Sequence, residues 1–280
     1  MPLVSGYDVL RTIKEKQVIA GAFNTTNIET TLGILEAFEK SGVPGFIQLT
    51  PNNLKFVDFT YISDLVKRKA HEMVVPVALH LDHGRNFEDV KHAIDAGFTS
   101  VMIDGSELPY EENVRLTKEA ADYARLFNVP LEAELGAISG RQGAVSLEEA
   151  LHTDPEQLKD FVERTGCSSV AVSVGNVHGL NTVAQLDFEL LEKLSIASPV
   201  PLVIHGASGL SDTDINRMIE FNVAKINIAS DMRKAYLASL GKFIEQHPNT
   251  YDILSSVRQS TKAVEETVYQ KLRAINDLDI

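Results

Sequence analysis

Eight short apolar runs rich in β-branched residues alternate with amphipathic segments along the 280-residue chain, and this alternation leaves few folds open. The runs are Val18–Phe23, Gly45–Leu49, Pro76–Leu81, Ser100–Ile103, Pro130–Leu135, Ser169–Val174, Pro201–Ile204 and Ala224–Ile228. Each is apolar on both faces, as parallel strands covered by helices require. A helical pattern follows each run, for example over Ile28–Lys40, Phe87–Ala96, Glu111–Phe127, Pro155–Thr165 and Asp212–Phe221. Ser211 ahead of Asp212 and Asp214 reads as a helix start, as does Asp154 ahead of a proline at the first helical position. Strict strand–helix alternation favours a closed (β/α)₈ barrel, the TIM barrel, over an open doubly wound α/β sheet. One further helix is expected before the first strand, at Gly6–Glu15, and one after the barrel, at Val257–Asn276. The length suits one barrel domain spanning residues 1–280, although two smaller domains would also fit.

Composition narrows the function classes. Lys and Arg total 26 against 39 Asp and Glu, a net charge of −13. That balance argues against nucleic acid as a partner, since such binders carry a basic face. An anionic substrate would need a local positive site set against the global field. Cys167 is the one cysteine, so an internal disulfide is impossible; it precedes the sixth strand, at the end of the barrel remote from chemistry, and reads as a buried small residue. The N-terminus shows no basic segment followed by an apolar one, and no apolar run approaches the roughly 18 residues of a membrane span. The expectation is a soluble cytoplasmic protein, for which the Asn24-Thr-Thr glycosylation spelling carries no meaning.

In such barrels chemistry sits at the C-terminal ends of the strands. Three histidines fall there: His83 in His80-Leu-Asp-His83-Gly84, His178 in Gly175-Asn-Val-His178-Gly179, and His205 in His205-Gly-Ala-Ser-Gly209. Each is followed by glycine, which lets the backbone turn and leaves room for substrate. A catalytic zinc takes three protein ligands and keeps one position open, and neutral imidazole suits it. His71, His92, His152 and His247 fall on helices or outer loops and read as surface residues. Asp82 precedes His83; both reach the site only if the strand's pleat breaks there, which Gly84 permits. Its carboxylate would then move protons to or from a substrate hydroxyl, or else orient a histidine. Asp104 ends the fourth strand, and Glu132 and Glu134 the fifth. Glu134, nearer the loop, is the better candidate; these acids would hold ligand histidines, offer a second metal position, or serve as internal hydrogen-bond partners. Gly206-Ala207-Ser208-Gly209 leads into a helix start, and Asn227-Ile228-Ala229-Ser230 into another. Small residues before helix N-termini expose N–H groups that suit phosphate, and the loops after strands seven and eight are the usual phosphate position in this barrel. On this reading backbone dipoles and the metal hold the anion, and no basic surface is required. Thr50, just past the second strand, is a further candidate.

Together Ala22-Phe-Asn24, His80-Leu-Asp-His83-Gly84, Ser100-Val-Met-Ile-Asp104-Gly-Ser106, Glu132-Ala-Glu-Leu-Gly136, Gly175-Asn-Val-His178-Gly179, His205-Gly-Ala-Ser-Gly209 and Lys225-Ile-Asn227-Ile resemble the class II ketose-bisphosphate aldolases over nearly the whole chain, most closely the tagatose-bisphosphate aldolase branch. The resemblance implies one Zn²⁺ held by His83, His178 and His205, and Asp82 as acid/base on the C4 hydroxyl of a ketose. Dihydroxyacetone phosphate would lie against Gly179, Gly206, Ser208, Asn227 and Ser230, with Asn24, Ala207, Ile228 and Ala229 as further substrate- or phosphate-binding residues. It implies a monovalent cation, Na⁺ or K⁺, near the phosphate, and a homodimer or homotetramer in which Arg258 reaches the far end of a neighbour's substrate.

The loop after the fifth strand departs from the family pattern. Where many relatives carry acidic residues it reads Gly136-Ala-Ile-Ser-Gly-Arg141-Gln142-Gly143, leaving only Glu148 and Glu149 as distant carboxylates for proton transfer at C3. Arg141 is expected to close over the anionic far end of an unusual substrate, phosphate or sulfonate. Three competing readings are a Schiff-base aldolase, a metallohydrolase and a non-catalytic subunit that stabilises an aldolase. The first needs a lysine at a strand's C-terminal end, and Lys225 begins its strand. The second usually shows His-x-His on the first strand, where Ala22-Phe-Asn24 stands. The third has no need of the histidines and Asp82 that are intact here.

Overall fold

A computed structural model describes residues 3–54, 58–138, 152–179 and 185–276. The chain forms β1 (Ala20–Asn24), β2 (Gly45–Leu49), β3 (Val77–Gly84), β4 (Ser100–Ile103), β5 (Leu131–Leu135), β6 (Ser169–Val172), β7 (Leu202–Ile204) and β8 (Val223–Ile228). These eight strands close into one parallel barrel in sequence order, β8 pairing with β1. The expected TIM barrel is therefore the fold.

The helices are α1 (Gly6–Lys16), α2 (Ile28–Ser41), the short α3 (Pro51–Leu54), α4 (Phe59–Ala70), α5 (Phe87–Asp95), α6 (Tyr110–Leu126), α7 (Pro155–Thr165), α8 (Phe188–Ala197), α9 (Asp212–Arg217), α10 (Ser230–Gln246) and α11 (Ile253–Asn276). Local chemistry fixes several ends. Asn27 and Thr30 form a reciprocal cap at the start of α2, and Gly42 ends it in the left-handed conformation. Asp154 caps α7 with proline following, as the sequence predicts. Two expected spans differ. The helix after β7 stops at Arg217 and tightens into a 3₁₀ turn over Met218–Glu220, because the chain must drop into β8; Asn222 is tied down through Ser195 and Val200. The last helix begins at Ile253, four residues before the expected Val257, because Asp252 accepts from both the Ser255 N–H and its hydroxyl.

The main apolar core lies between barrel and helices, around residues such as Phe23, Leu79 and Ile103. Inside the barrel the inward residues change character with height. Toward the bottom, Ala20, Ala22, Phe46 and Ala78 pack against Val9 and Ile13 of α1, which plugs the N-terminal end. Above them the inward positions of six strands turn polar: Asn24, Gln48, His80 and Asp82, Glu132 and Glu134, His205, Lys225 and Asn227 are all buried. A barrel interior is usually filled by branched apolar side chains. The replacement of that filling by charged groups marks the upper half as the place to look for function. Among the described residues no helix is long and apolar enough to cross a membrane.

Candidate active site

A cleft of about 410 Å³ opens at the C-terminal mouth of the barrel. Its floor and one wall carry Asn24, Asp82, His83, His178 and His205. Asp82 and His83 are neighbours in sequence, yet both face the cleft. The pleat does break, and the break is at His83: β3 slips register against β4 between Leu81 and Gly84, and His83 itself takes a left-handed φ of 51°. A non-glycine residue held there costs of order 1–3 kcal/mol and persists only where its surroundings over-determine it. The expectation assigned that freedom to Gly84; the histidine carries it instead.

Carboxylates set the ring tautomers. His83 Nδ1 lies 2.8 Å from Asp104 Oδ2, and Asp104 is itself held by the Ser106 N–H and hydroxyl. His205 Nε2 lies 3.0 Å from Glu132 Oε1. A ring N–H donating to a carboxylate leaves the other nitrogen bare. His83 Nε2 and His205 Nδ1 then face each other at 3.0 Å. Two lone pairs at that separation would repel, so the pair calls for a cation: the proton on His83 in the metal-free protein, or a metal ion in its place. His178 closes the group, its ring centroid 5.3 Å from that of His83 and 5.9 Å from that of His205. One ligand atom from each of the three histidines falls within 4.8 Å of the others, so they could hold a metal ion. Tetrahedral ligation at roughly 2.0–2.1 Å places nitrogens a little over 3 Å apart, so the donor set fits zinc. Burial opposes charge on His83, but Asp82, Asp104 and Glu134 overcome it and push the imidazole up to about 9: the site seeks a positive charge. His205, with burial dominant, is pushed down.

Asp82, 4% exposed, is clamped from both sides. Asn24 donates to Oδ2 at 2.8 Å and Asn227 to Oδ1 at 3.0 Å, and Gln48 in turn donates to Asn24. Burial would raise this carboxyl, but His83, His205, Lys225 and Asn24 together hold it well below the usual range. It is a fixed, ionised carboxylate, able to accept a proton that a substrate brings.

The opposite wall is made of main chain. Gly179, Gly206, Ser208, Ala229 and Ser230 line it. Gly206 has φ 71° and lies so close to Val177 that a Cβ would meet its carbonyl oxygen at 2.3 Å. Gly179 has φ 98° with open space beside it. The N–H groups of Ala229 and Ser230, at the start of α10, both donate to Ser208 Oγ at 3.2 Å. Ala207 and Ile228 are buried in the core and do not line the cleft, so their side chains face away from it.

Glu134 approaches His83 and His205, at 3.6 Å from His83 Nδ1 and 3.9 Å from His205 Nδ1. With His83 and Asp104 it forms a second group able to hold an ion. Glu132, placed behind Glu134 as a candidate, makes the direct bond to His205. Thr50 lines the cleft and donates to Asn53. Arg258 is exposed on α11 and does not line this chain's own cleft. Arg141, Gln142, Glu148 and Glu149 lie outside the described residues. Sequence reading missed two cations: Arg85, next to Gly84, and Arg233, in the first turn of α10, both line the cleft. Backbone dipoles therefore do not stand alone against the −13 net charge. Arg85 was legible as the charge directly after a strand-end glycine; Arg233 required knowing which way the first turn of α10 faces.

Fold and site define a barrel enzyme with a candidate metal centre beside an ionised aspartate. The family model described as class-II fructose-bisphosphate aldolase matches residues 4–279. Fructose-bisphosphate aldolase of Staphylococcus aureus (strain Mu50) is 36% identical over 277 residues, covering 98% of this chain and 97% of that protein. The Staphylococcus epidermidis protein of the same name is 35% identical with the same coverage. Among solved structures, the YdjI aldolase of Escherichia coli K12 superposes with a TM-score of 0.85 at 34% identity, covering 98% of this chain and 97% of that one. The chain belongs to the class-II fructose-bisphosphate aldolase family, and its activity class is that of an aldolase, a carbon–carbon lyase.

Proposed function

We propose that this aldolase reversibly cleaves a phosphorylated ketose to dihydroxyacetone phosphate and an aldehyde, with one Zn²⁺ held by His83, His178 and His205. The observation that carries the reading is the meeting of His83 Nε2 and His205 Nδ1 at 3.0 Å, with His178 beside them, next to a clamped, ionised Asp82. When bound, the zinc supplies Lewis-acid stabilisation of the negative charge that develops on the ketose as its carbon–carbon bond opens. The chain's own groups do the rest. Asp82 accepts the C4 hydroxyl proton, the C3–C4 bond breaks, C4 becomes the aldehyde carbon, and the electron pair passes to the three-carbon phosphate fragment, which takes a proton at the former C3 to become dihydroxyacetone phosphate while Asp82 releases its own. Condensation is the reverse. Gly179, Gly206, Ser208, Asn227 and Ser230 seat the phosphate, with the α10 N-terminus and Arg233 facing it; a Na⁺ or K⁺ ion beside the phosphate and a homodimer or homotetramer in solution complete the reading.

Arg85 follows β3 and Arg233 follows β8, so the two lie at separate points of the cleft rim with β1 and β2 between them. Neither guanidinium makes an ion pair with a described carboxylate. Cations at both ends favour a substrate with two anionic ends, a 1,6-bisphosphate of the tagatose or fructose type, over a ketose 1-phosphate; a sulfonated ketose phosphate shares that charge pattern. The test is a cleavage screen of ketose 1-phosphates and 1,6-bisphosphates with and without chelator. Chelator-sensitive cleavage with a bisphosphate preference that narrows in Arg85→Ser is the expected result. No cleavage of any member, or cleavage indifferent to chelator, would overturn the reading.

A further inference from the structure

Beneath the cleft lies a layer of charged side chains that the aldol chemistry does not touch. Lys225, inward on β8, is 2% exposed. Its Nζ lies 2.9 Å from Glu132 Oε2, 3.3 Å from His80 Nε2 and 5.5 Å from the centre of the Phe46 ring. Lys225, Glu132 and His80 do not line the cleft, so none reaches substrate there. Packing alone does not call for such a pair. The same level of a barrel is ordinarily filled by branched apolar side chains. Replacing a buried ion pair with apolar groups of similar volume is often neutral or stabilising. The pair needs another reason to be there.

Its connections supply one. Lys225 has only donors, so Glu132 Oε2 and His80 Nε2 must both accept from it. His80 is thereby protonated on Nδ1, where it donates to Ser100 Oγ at 2.8 Å. That leaves His80 with no proton to offer Glu132, and Lys225 is the group that holds Oε2. The other oxygen of Glu132, Oε1, lies 3.0 Å from His205 Nε2, and Asn227 Nδ2 lies 3.0 Å from the same nitrogen. Glu132 is ionised and can only accept, so Nε2 carries the proton and the Asn227 amide donates to Asp82 instead. The order from core to mouth is thus Lys225, Glu132, His205, and then the bare His205 Nδ1 facing His83 Nε2.

We infer that Lys225 is a positioning residue for the metal centre: by anchoring one oxygen of Glu132 it keeps the other on His205, so that His205 presents its unprotonated Nδ1 to the shared site. This rests on the reading of His83, His178 and His205 as metal ligands. A partner that orients a ligand histidine typically contributes 10–100-fold to metal affinity, although it touches neither metal nor substrate.

Zinc affinity measured by chelator competition on the purified full chain tests this, independently of turnover. Lys225→Met keeps the stem and removes the donor; its zinc Kd is expected to rise about 10–100-fold. Glu132→Gln should weaken zinc binding similarly, and the double variant should bind no more weakly than Glu132→Gln alone, because Lys225 acts only through Glu132. Lys225→Met leaves a buried carboxylate without its cation and is open to misfolding. In that event the double variant, which carries no unpaired charge, is compared with Glu132→Gln: equal affinities support the inference. ¹⁵N chemical shifts of the His205 ring in the metal-free protein add a readout that mere packing would not move, with Nε2–H expected in the wild type and a tautomer mixture in the variant. Folded Lys225→Met with unchanged zinc Kd and an unchanged His205 tautomer overturns the inference, as does further loss in the double variant. His178→Ala separates the two claims. Zinc binding lost there but unchanged in Lys225→Met defeats the inference alone; zinc binding that survives His178→Ala defeats the metal reading and the inference with it.

Discussion

The two ends of the cleft are built from different materials. At the proposed metal end the candidate groups are side chains: three imidazoles and an aspartate, two of the rings held by carboxylates and the aspartate clamped by two amides. At the proposed phosphate end they are largely main chain: turns at Gly179 and Gly206 in left-handed conformations, and the start of α10, where the Ala229 and Ser230 N–H groups hold Ser208 Oγ. One end depends on which atom is presented, the other on the path the backbone takes. The contrast suits the two tasks. A metal and a proton need particular nitrogens and oxygens, whereas a phosphate is satisfied by any well-aimed set of N–H donors.

Substitution should therefore hurt the two ends differently. Asp82→Asn removes the base while leaving the imidazoles in place. It should lower kcat by about 10²–10⁴-fold, the usual contribution of a positioned acid/base, with zinc content unchanged; loss of zinc in parallel with activity would mean that Asp82 belongs to the metal's hold. Gly179→Ala bends the phosphate end without a clash, since a Cβ there meets nothing, but the φ of 98° is strained for alanine. A strain of order 1–3 kcal/mol, falling on substrate binding, corresponds to roughly a 5- to 150-fold rise in KM, with kcat little changed; equal losses in both would show that the turn also aligns the reacting atoms.

The smallest effect is a matter of pH. In the metal-free protein His83 is pushed up to about 9 by its carboxylate neighbours, above its ordinary 6.5. The folded state therefore binds that proton more tightly than the unfolded chain does. The stability it lends is complete below pH 6.5 and drains away as pH rises through 9. The Tm of the metal-free protein should fall by a few degrees over that window, and zinc should abolish the dependence. A Tm that is flat, or that rises toward pH 9, would show that the carboxylates around His83 do not act as drawn.

The same contrast explains what the sequence reveals. All eight strands are visible as apolar runs, with ends within about three residues of those observed, because burial on both faces leaves a local signature. His83, His178 and His205 stand out because each ends a strand before a glycine. The turn at His83 is hidden behind Gly84, since residue type alone favours glycine for positive φ and only the tertiary setting forces a histidine into it. Glu132 ranked below Glu134 because distance along the strand is visible in sequence while reach across the barrel is not; its partners His205 and Lys225 lie 73 and 93 residues away in the chain. Lys225 looked like a residue at the bottom of its strand, and its inward direction at mid-height appears only once β8 pairs with β1 and β7. Arg233 escaped notice for the same reason.

The central claim is that three imidazoles share one ion at the barrel mouth. X-ray absorption at the zinc edge, on protein loaded with one equivalent of zinc, measures this directly. The structure predicts imidazole scattering from about three nitrogens at roughly 2.0–2.1 Å, falling by one ligand in each of His83→Ala, His178→Ala and His205→Ala. A zinc ion surrounded by oxygen alone, with a spectrum indifferent to those substitutions, would contradict it.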